Sequence, residues 1–241
     1  QKYDEGFAAA VNIATAPVGQ LIPPTTAFIV FSAAGGGASV AALFMGGWIP
    51  GLLWAACCMV VAFFYARKQG YVIKRDKLTA KIVGKTIWDA IPSLFLVVII
   101  IGGILSGKFT PTEASGVAVA YAFILSVFIY RTIKLSEIPK LLVDAAVMTT
   151  IVMLIIGASS VLSFVMSFTG LPAAISKLVL GISSNKYVIL LILNIFLLIV
   201  GTFMDMAPAL LIFTPIFLPI VQSFGMSPIH FGVMMVMNLS V

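Results

Sequence analysis

The chain has 241 residues, of which 61% are hydrophobic and only 9% are charged, with a formal net charge of +6. Soluble domains carry roughly 25% charged residues, so this composition excludes an ordinary soluble enzyme or binding domain. The basic residues cluster in two loops between apolar runs, which indicates membrane topology and not nucleic-acid binding. The runs are too long for barrel strands, and we therefore predict an all-α polytopic protein of the lipid bilayer.

The first apolar segment, Gly6–Ala34, contains two consecutive prolines. Pro23 and Pro24 remove two backbone donors and disfavour helix just before them. The pattern predicts a discontinuous helix whose first half ends near Val18 and whose second half begins near Thr25. A single proline-kinked helix is the alternative. Unwound carbonyl groups at such a break are where secondary transporters hold Na⁺ or H⁺.

A glycine-rich turn at Gly35–Ser39 precedes a long predicted span, Val40–Ala66. The following stretch, residues 67–85, holds half of the fourteen basic residues, and the positive-inside rule places it in the cytoplasm. Apolar residues recur there near helical spacing, which predicts an amphipathic helix at the membrane interface. These apolar residues are Leu78, Ile82 and Ile87.

The next two spans are predicted at Ala90–Gly107 and Ala114–Tyr130, joined by a short outer turn. Thr110 or Thr112 is expected to cap the second of these helices, with Glu113 in its first turn. A carboxylate there complements the helix dipole, so we interpret Glu113 as structural and not catalytic.

A second basic loop, residues 131–140, is again predicted to be cytoplasmic. Leu141–Phe168 is expected to cross outward, interrupted at residues 157–160 by small side chains that allow close helix contact. Leu171–Ile182 follows as a short amphipathic external segment.

The stretch 187–221 consists of two apolar arms around a short polar turn. Tyr187–Val200 and Ala209–Val221 each have about 14 residues and rise roughly 21 Å, against a hydrocarbon core of roughly 30 Å. The lengths predict a re-entrant helical hairpin with Asp205 at its tip. A buried carboxylate beside irregular backbone is a candidate ion or substrate site. The alternative is one kinked spanning helix with Asp205 in a hydrogen bond.

The last segment, Pro228–Val241, is predicted to start outside the membrane. The first break and the hairpin then have opposite orientations, which is the arrangement of inverted repeats. Asn238 and Ser240 lie just before the point where a second broken helix would unwind. The sequence also leads us to expect that both ends are cut from a longer polypeptide.

Several motifs point to one family of membrane proteins. They are Gly19-Gln20-Leu21-Ile22-Pro23-Pro24, Gly46-Gly47-Trp48-Ile49-Pro50-Gly51, Phe109-Thr110-Pro111-Thr112-Glu113-Ala114, Met204-Asp205 with Thr214-Pro215, and Phe231-Gly232-Val233-Met234 with Asn238. Together they resemble the large membrane subunit (M subunit, DctM-like) of the tripartite ATP-independent periplasmic, or TRAP, transporters.

The resemblance implies a Na⁺-coupled importer of the bacterial cytoplasmic (inner) membrane that works by an elevator mechanism. It implies inverted repeats, with transport segments at residues 1–34 and 169–241 and scaffold helices at 35–168. The implied partners are a small membrane subunit of the Q type, separate or fused, and a periplasmic substrate-binding protein. The implied substrate is an organic acid, such as sialic acid, a C4-dicarboxylate or a sugar acid.

The resemblance also implies a set of site residues. Backbone carbonyls of Gly19, Ile22 and Pro23 would serve a first Na⁺ site, and Gly201 a second. The resemblance implies Na⁺ as the coupling ion and no organic cofactor. The helix N-termini near Thr25 and Ala207 are expected to face the substrate anion. The remaining members of the expected substrate and coupling region are Thr26, Asp205, Asn238 and Ser240.

Two other classes of protein are weighed against a transporter of this family. A channel requires a polar stripe that these apolar runs do not supply. An intramembrane serine-type hydrolase requires His230, the single histidine, within hydrogen-bond reach of a serine. The candidate serines are Ser159, Ser160, Ser163 and Ser227. We predict no enzymatic activity; a different ion-coupled transporter is the remaining alternative.

Overall fold

The computed structural model describes residues 4–34, 37–70, 80–182 and 185–241, and all regular secondary structure in these ranges is helical. The helices are α1 Glu5–Leu21, α2 Thr26–Ala34, α3 Val40–Lys68, α4 Ala80–Leu105, α5 Pro111–Ile124, α6 Ile138–Phe168, α7 Leu171–Ile182, α8 Lys186–Phe203, α9 Met206–Ser223 and α10 Pro228–Ser240. A π-helical turn, Leu125–Ile129, continues α5, and a 3-10 turn, Leu135–Glu137, precedes α6.

Six helices of the described ranges are long and apolar enough to cross a membrane. They are α3, α4, α5 with its π-helical turn, α6, α8 and α9. Helices α1 and α2 form a further pair that is bent by 52° at a short break. The prediction of an all-α polytopic membrane protein is therefore confirmed.

The chain folds as two compact units. One consists of Glu5–Ala62 and Thr149–Val241, and the other consists mainly of Phe63–Met148. Both unit boundaries lie within long helices, α3 and α6. The grouping into transport segments and scaffold concerns the whole transporter, and it stays a prediction.

In the unit around Phe63–Met148, α4 and α5 pack against each other as a pair. The Tyr121 hydroxyl donates to the Pro92 carbonyl at 2.9 Å, and the Tyr121 and Phe95 ring centroids are 6.2 Å apart. Thr110 caps α5: its hydroxyl accepts from the Glu113 N–H at 3.3 Å, and the Glu113 carboxylate accepts from the Thr110 N–H at 2.8 Å. Of the two predicted caps of this helix, Thr110 and Thr112, the structure confirms Thr110.

Two features predicted from the sequence, a separate interfacial helix and an interruption at residues 157–160, are absent from the described helices. Helix α4 already begins at Ala80, so Ile82 and Ile87 belong to a spanning helix and not to a separate interfacial one. Leu78 and the rest of residues 71–79 lie outside the described residues. Helix α6 runs unbroken through residues 157–160, because alanine and serine are tolerated in a helix and one glycine is not enough to end it.

In the other unit, three helices interlock through aromatic side chains and a glycine. The rings of Phe28 and Phe44 have centroids 6.4 Å apart, and those of Phe31 and Phe231 are 6.3 Å apart. A Cβ atom on Gly232 of α10 would lie 2.5 Å from the Phe31 ring of α2 and 2.9 Å from Leu43 of α3. Only a glycine lets the three helices approach this closely.

Candidate functional site

The break between α1 and α2 covers residues 22–25 and is produced by missing backbone donors. The Ile22 N–H still donates to the Val18 carbonyl at 2.9 Å, so α1 continues three residues beyond the predicted end. The carbonyls of Gly19 and Gln20 would need donors four residues later, where Pro23 and Pro24 have no N–H. Both carbonyls at the end of α1 are therefore left without their helical partner.

A threonine closes the other side of this break. The Thr25 side chain is 5% exposed, and its hydroxyl accepts from the Ala27 N–H at 3.2 Å, so it caps the N-terminus of α2. This contact gives Thr25 a structural role, whereas Thr26, in the first turn of α2, is exposed.

The glycines of α3 hold the break in place. A Cβ atom on Gly47 would collide with the Leu21 carbonyl oxygen and the Phe28 ring. A Cβ atom on Gly51, one turn later, would lie 2.7 Å from Ile22. The Gly-Gly-Trp-Ile-Pro-Gly motif therefore forms a backbone surface against which the break packs.

The second break is the turn between α8 and α9, at Met204 and Asp205. Asp205 caps α9, since its carboxylate accepts from the Ala207 N–H at 3.3 Å. The two helices form a hairpin: the ring of Phe196 in α8 lies 5.3 Å from Phe213 and 5.4 Å from Phe217 in α9, centroid to centroid.

The hairpin arms are longer than the sequence suggested. Each has 18 residues, not about 14, and both are long enough to be candidate spans. Helix α8 continues to Phe203 and α9 begins at Met206, so only Met204 and Asp205 lie outside the helices. Pro215 and Pro219 lie inside α9 and do not end it. The length argument for a re-entrant hairpin is therefore wrong, and re-entrancy stays a prediction that rests on the tip alone.

The first break and the hairpin tip face one shared cavity of about 130 Å³. Its lining comes half from each break, namely Gln20, Thr26, Ala27 and Val30 from the first, and Asp205, Met206, Ala207 and Leu210 from the second. Small-molecule pockets typically measure about 300–1,000 Å³. The cavity therefore suits an ion with a few waters, or one charged end of a larger molecule.

The charges around the cavity are of both signs. The end of α1 with its unpaired carbonyls is the negative end of a helix dipole, whereas α2 and α9 begin at the cavity with their positive ends. Asp205 is the single ionisable group among the lining residues. Such a site attracts a cation to the carboxylate and carbonyl oxygens and an anion to the N–H groups of α2.

The structure brings together some of the predicted site residues. Thr26, Asp205 and Ala207 line the cavity. Other predicted residues lie next to it without contributing to the lining, namely Gly19, Ile22, Pro23 and Thr25 around the first break. The cation-binding role of these carbonyl groups stays a prediction.

Of the remaining predicted residues, Gly201 and Asn238 belong to the contact between α8 and α10, and Ser240 bonds within α10. A Cβ atom on Gly201 would lie 3.2 Å from the Asn238 carbonyl oxygen. The Asn238 amide donates to the Asn194 side-chain oxygen at 2.6 Å, and the Ser240 hydroxyl donates to the Met237 carbonyl at 2.9 Å.

Sequence reasoning missed two polar residues, Gln20 in the cavity and Asn194 in α8. Gln20 directly precedes the Leu-Ile-Pro-Pro run, and Asn194 interrupts an otherwise apolar helix. A polar amide at membrane depth is expensive unless it has partners, and this cost is the signal that points to Asn194.

Two of the four serines of the hydrolase alternative, Ser160 and Ser227, have structural partners. The Ser160 hydroxyl donates to the Ile156 carbonyl at 2.8 Å, and the Ser227 hydroxyl accepts from the Ile229 N–H at 3.3 Å as the cap of α10. His230 lies exposed in the first turn of the same helix. Among the described hydrogen bonds, none joins His230 to a serine. The Ser163 side chain lies outside the description.

A helical membrane protein with two breaks at one cavity shares its general layout with secondary transporters. Comparison with known proteins gives the family. The family described as "Tripartite ATP-independent periplasmic transporter, DctM component" matches residues 1–241. The chain belongs to this family, which is a transporter permease family, as its motifs predicted.

Individual relatives match almost the whole chain. It is 47% identical to the uncharacterized protein YgiK of Salmonella typhimurium over 99% of the chain and 54% of that protein. It is 36% identical to the isethionate TRAP transporter permease protein DctMQ of Oleidesulfovibrio alaskensis, over 99% of the chain and 38% of the relative. It is also 36% identical to the sialic acid TRAP transporter large permease protein SiaM of Vibrio cholerae, over 100% of the chain and 56% of the relative. The chain thus spans about half, or less, of the curated relatives it matches.

Proposed function

We propose that this chain contributes the central part of the transport path of a Na⁺-coupled importer in the bacterial inner membrane. The observation that supports it is the shared cavity, where a proline-made break and a hairpin tip meet around one carboxylate. Asp205 and the carbonyls at the end of α1 attract Na⁺, a hard cation that prefers oxygen ligands. The N-terminus of α2 attracts the carboxylate of an organic acid.

The proposed mechanism is elevator-type alternating access between inverted repeats. Segments 1–34 and 169–241 carry the site. The first part of α3 packs on the break and on Gly232 and is grouped with these segments in one compact unit, so the proposed scaffold is the remainder of segment 35–168. The interlocked packing of α2 and α10 at Gly232 supports movement of these two helices as one body. Na⁺ binding offsets the charge of Asp205, so the site is ready for movement only when the cation is bound.

The proposed partners follow from family membership. They are a small membrane subunit of the Q type and a soluble periplasmic binding protein that delivers the substrate. One relative carries the name DctMQ, so fusion of the small subunit is one of the two arrangements to expect. The isethionate and sialic acid relatives differ in the substrate that their names give, and the substrate of this chain is an organic acid to be identified by experiment.

Uptake by proteoliposomes tests the proposal. The full transporter containing this chain is reconstituted with its binding protein and supplied with labelled sialic acid, a C4-dicarboxylate or a sugar acid. Uptake of one acid is expected only under an inward Na⁺ gradient, and it should stop when choline replaces Na⁺. Uptake that is equal in choline contradicts Na⁺ coupling, whereas binding of none of these acids to the binding protein contradicts the substrate class.

A further inference from the structure

The side-chain amide of Gln20 is a hydrogen-bonding group of the shared cavity that the roles proposed so far leave unused. Gln20 lies at the end of α1 and lines the cavity together with residues of the hairpin tip. Among the residues that the structure describes, none bonds to its amide. The amides of Asn194 and Asn238, in contrast, bond to each other at 2.6 Å and to carbonyl groups of their own helices. Gln20 therefore offers a donor and an acceptor to a molecule that enters the cavity.

The other polar side chains of the lining are Thr26 and Asp205. The Asp205 carboxylate accepts from the Ala207 N–H, and its charge is assigned above to Na⁺. An ionised carboxylate only accepts hydrogen bonds, whereas a hydroxyl and a side-chain amide both donate and accept. Gln20 and Thr26, both from the first break, are therefore the lining side chains that can recognise a group which donates as well as accepts.

The volume of the cavity limits which part of a substrate Gln20 can meet. About 130 Å³ is well below the roughly 300–1,000 Å³ of sites that enclose a whole small molecule. Once a carboxylate lies at the N-terminus of α2, the space that remains fits little more than the substituents of the adjacent carbon atom. The group that Gln20 meets is therefore the one on the carbon next to the carboxylate.

The chemistry of an amide decides between the substituents that this carbon can carry. A methylene group displaces water from the amide without replacing its hydrogen bonds, which costs free energy. A hydroxyl group replaces them: an amide presents an oxygen and an NH₂ group side by side, and a 2-hydroxy acid presents an O–H donor beside a carboxylate acceptor. A site that bonds to a substrate hydroxyl discriminates strongly against the analogue that lacks it.

We propose that Gln20 is a specificity-determining residue, and that the substrate carries a hydroxyl group on the carbon next to its carboxylate. The Gln20 amide oxygen accepts from this hydroxyl, and the NH₂ group donates to the carboxylate. This inference rests on the proposed function, which places the carboxylate at the N-terminus of α2. It narrows the substrate from organic acids in general to 2-hydroxy acids, and it gives a task to a residue that was not among the predicted site residues.

The test compares two probes that differ by one hydroxyl group, glycolate and acetate. The purified full transporter, without its binding protein, is heated in detergent at one NaCl concentration. Potassium glycolate or potassium acetate replaces potassium chloride stepwise, so that Na⁺ and ionic strength stay constant, and the concentration at half of the acid-dependent rise in Tm is determined. The glycolate midpoint is expected about tenfold below the acetate midpoint, the equivalent of one hydrogen bond of about 1.4 kcal/mol.

The decisive variant is Gln20→Met, which keeps the length of the side chain and removes both hydrogen-bonding groups. The preference for glycolate should fall to within about twofold. Because the two midpoints are compared on the same protein, a purely structural role of Gln20 would leave their ratio unchanged. Gln222→Met is the matched control, since Gln222 lies exposed in the last turn of α9 and outside the cavity lining. It should keep the tenfold preference. If Gln20→Met does not fold, Gln20→Ala replaces it.

The outcomes separate the inference from the function on which it rests. Equal midpoints in the wild-type protein, a glycolate preference that persists in Gln20→Met, or a preference that is lost equally in Gln222→Met overturns the role of Gln20 while the proposed function stands. A wild-type protein that neither acid stabilises contradicts anion binding at the cavity, and the inference then falls together with that part of the proposed function.

Discussion

The two breaks that face the cavity are built by different means. The first is made by two prolines, capped by the buried Thr25 and packed against Gly47. The second is a short turn whose cap, Asp205, is exposed to the cavity and carries the charge. Both breaks place a helix N-terminus at the cavity. The first N-terminus is held by a buried cap and close packing, and the second by an exposed carboxylate.

The difference between the two breaks indicates which substitutions should mainly affect folding and which should mainly affect transport. Changes at the first break disturb a close-packed backbone surface, and they should affect folding before they affect transport. Changes at Asp205 remove a charge from an open position, and they should affect transport before folding. Three substitutions test this comparison.

The largest effect on folding is expected for Gly47→Val. The new side chain meets the Leu21 carbonyl and the Phe28 ring, and overpacking of this kind typically costs about 1–3 kcal/mol or more. We expect a lower Tm and a reduced yield of monodisperse protein by size-exclusion chromatography. Gly102→Ala is the control, because nothing lies within 4 Å of a Cβ atom there. Equal behaviour of the two variants would show that α3 does not hold the break.

At the hairpin tip, Asp205→Asn should reduce Na⁺-dependent uptake by about tenfold or more with little change in Tm. Asparagine caps a helix as well as aspartate does, so the change removes charge and leaves the cap. Uptake and Tm are measured on the same preparation. Retained uptake would reduce Asp205 to a structural cap and make the two breaks equivalent.

A smaller effect is expected for Thr25→Val, which loses the contact to the Ala27 N–H. Removal of a threonine cap typically costs about 1 kcal/mol. We expect a lower Tm, with the Na⁺ dependence of uptake unchanged in the protein that folds. Thr25→Ser keeps the hydroxyl and should restore Tm. A changed Na⁺ dependence in Thr25→Val, absent from Thr25→Ser, would instead give this side chain a part in the site.

Much of the fold was readable from apolar runs and their interruptions. The bounds of α7 were predicted as Leu171–Ile182, and α10 was predicted to begin at Pro228, because turn residues and a serine cap mark these ends. The end of α1 was placed too early, since a glycine at position 19 does not stop a helix whose donors continue to Ile22. The positions of the prolines therefore located the break, whereas its length depends on backbone hydrogen bonds at the end of α1.

The site was only partly predictable. Proline and aspartate signal a break and a charge in an apolar run, so Thr26, Asp205 and Ala207 were placed in one expected substrate and coupling region. The structure puts all three in the lining of one cavity, and their role in transport stays a prediction. The docking of α3 on the break and the pairing of Asn194 with Asn238 join residues about 25 to 44 positions apart. Contacts of this kind depend on how the helices pack, and one sequence carries no direct signal of the partner.

The glycine at position 232 has a mechanical consequence. Phe31 of α2 lies against it with no room for a single additional carbon atom, so α2 cannot slide along α10 without lifting away from it. We therefore expect α2 and α10 to be displaced together in any rearrangement that widens the first break, because sliding one along the other would first require the Phe31 ring to leave the surface of Gly232.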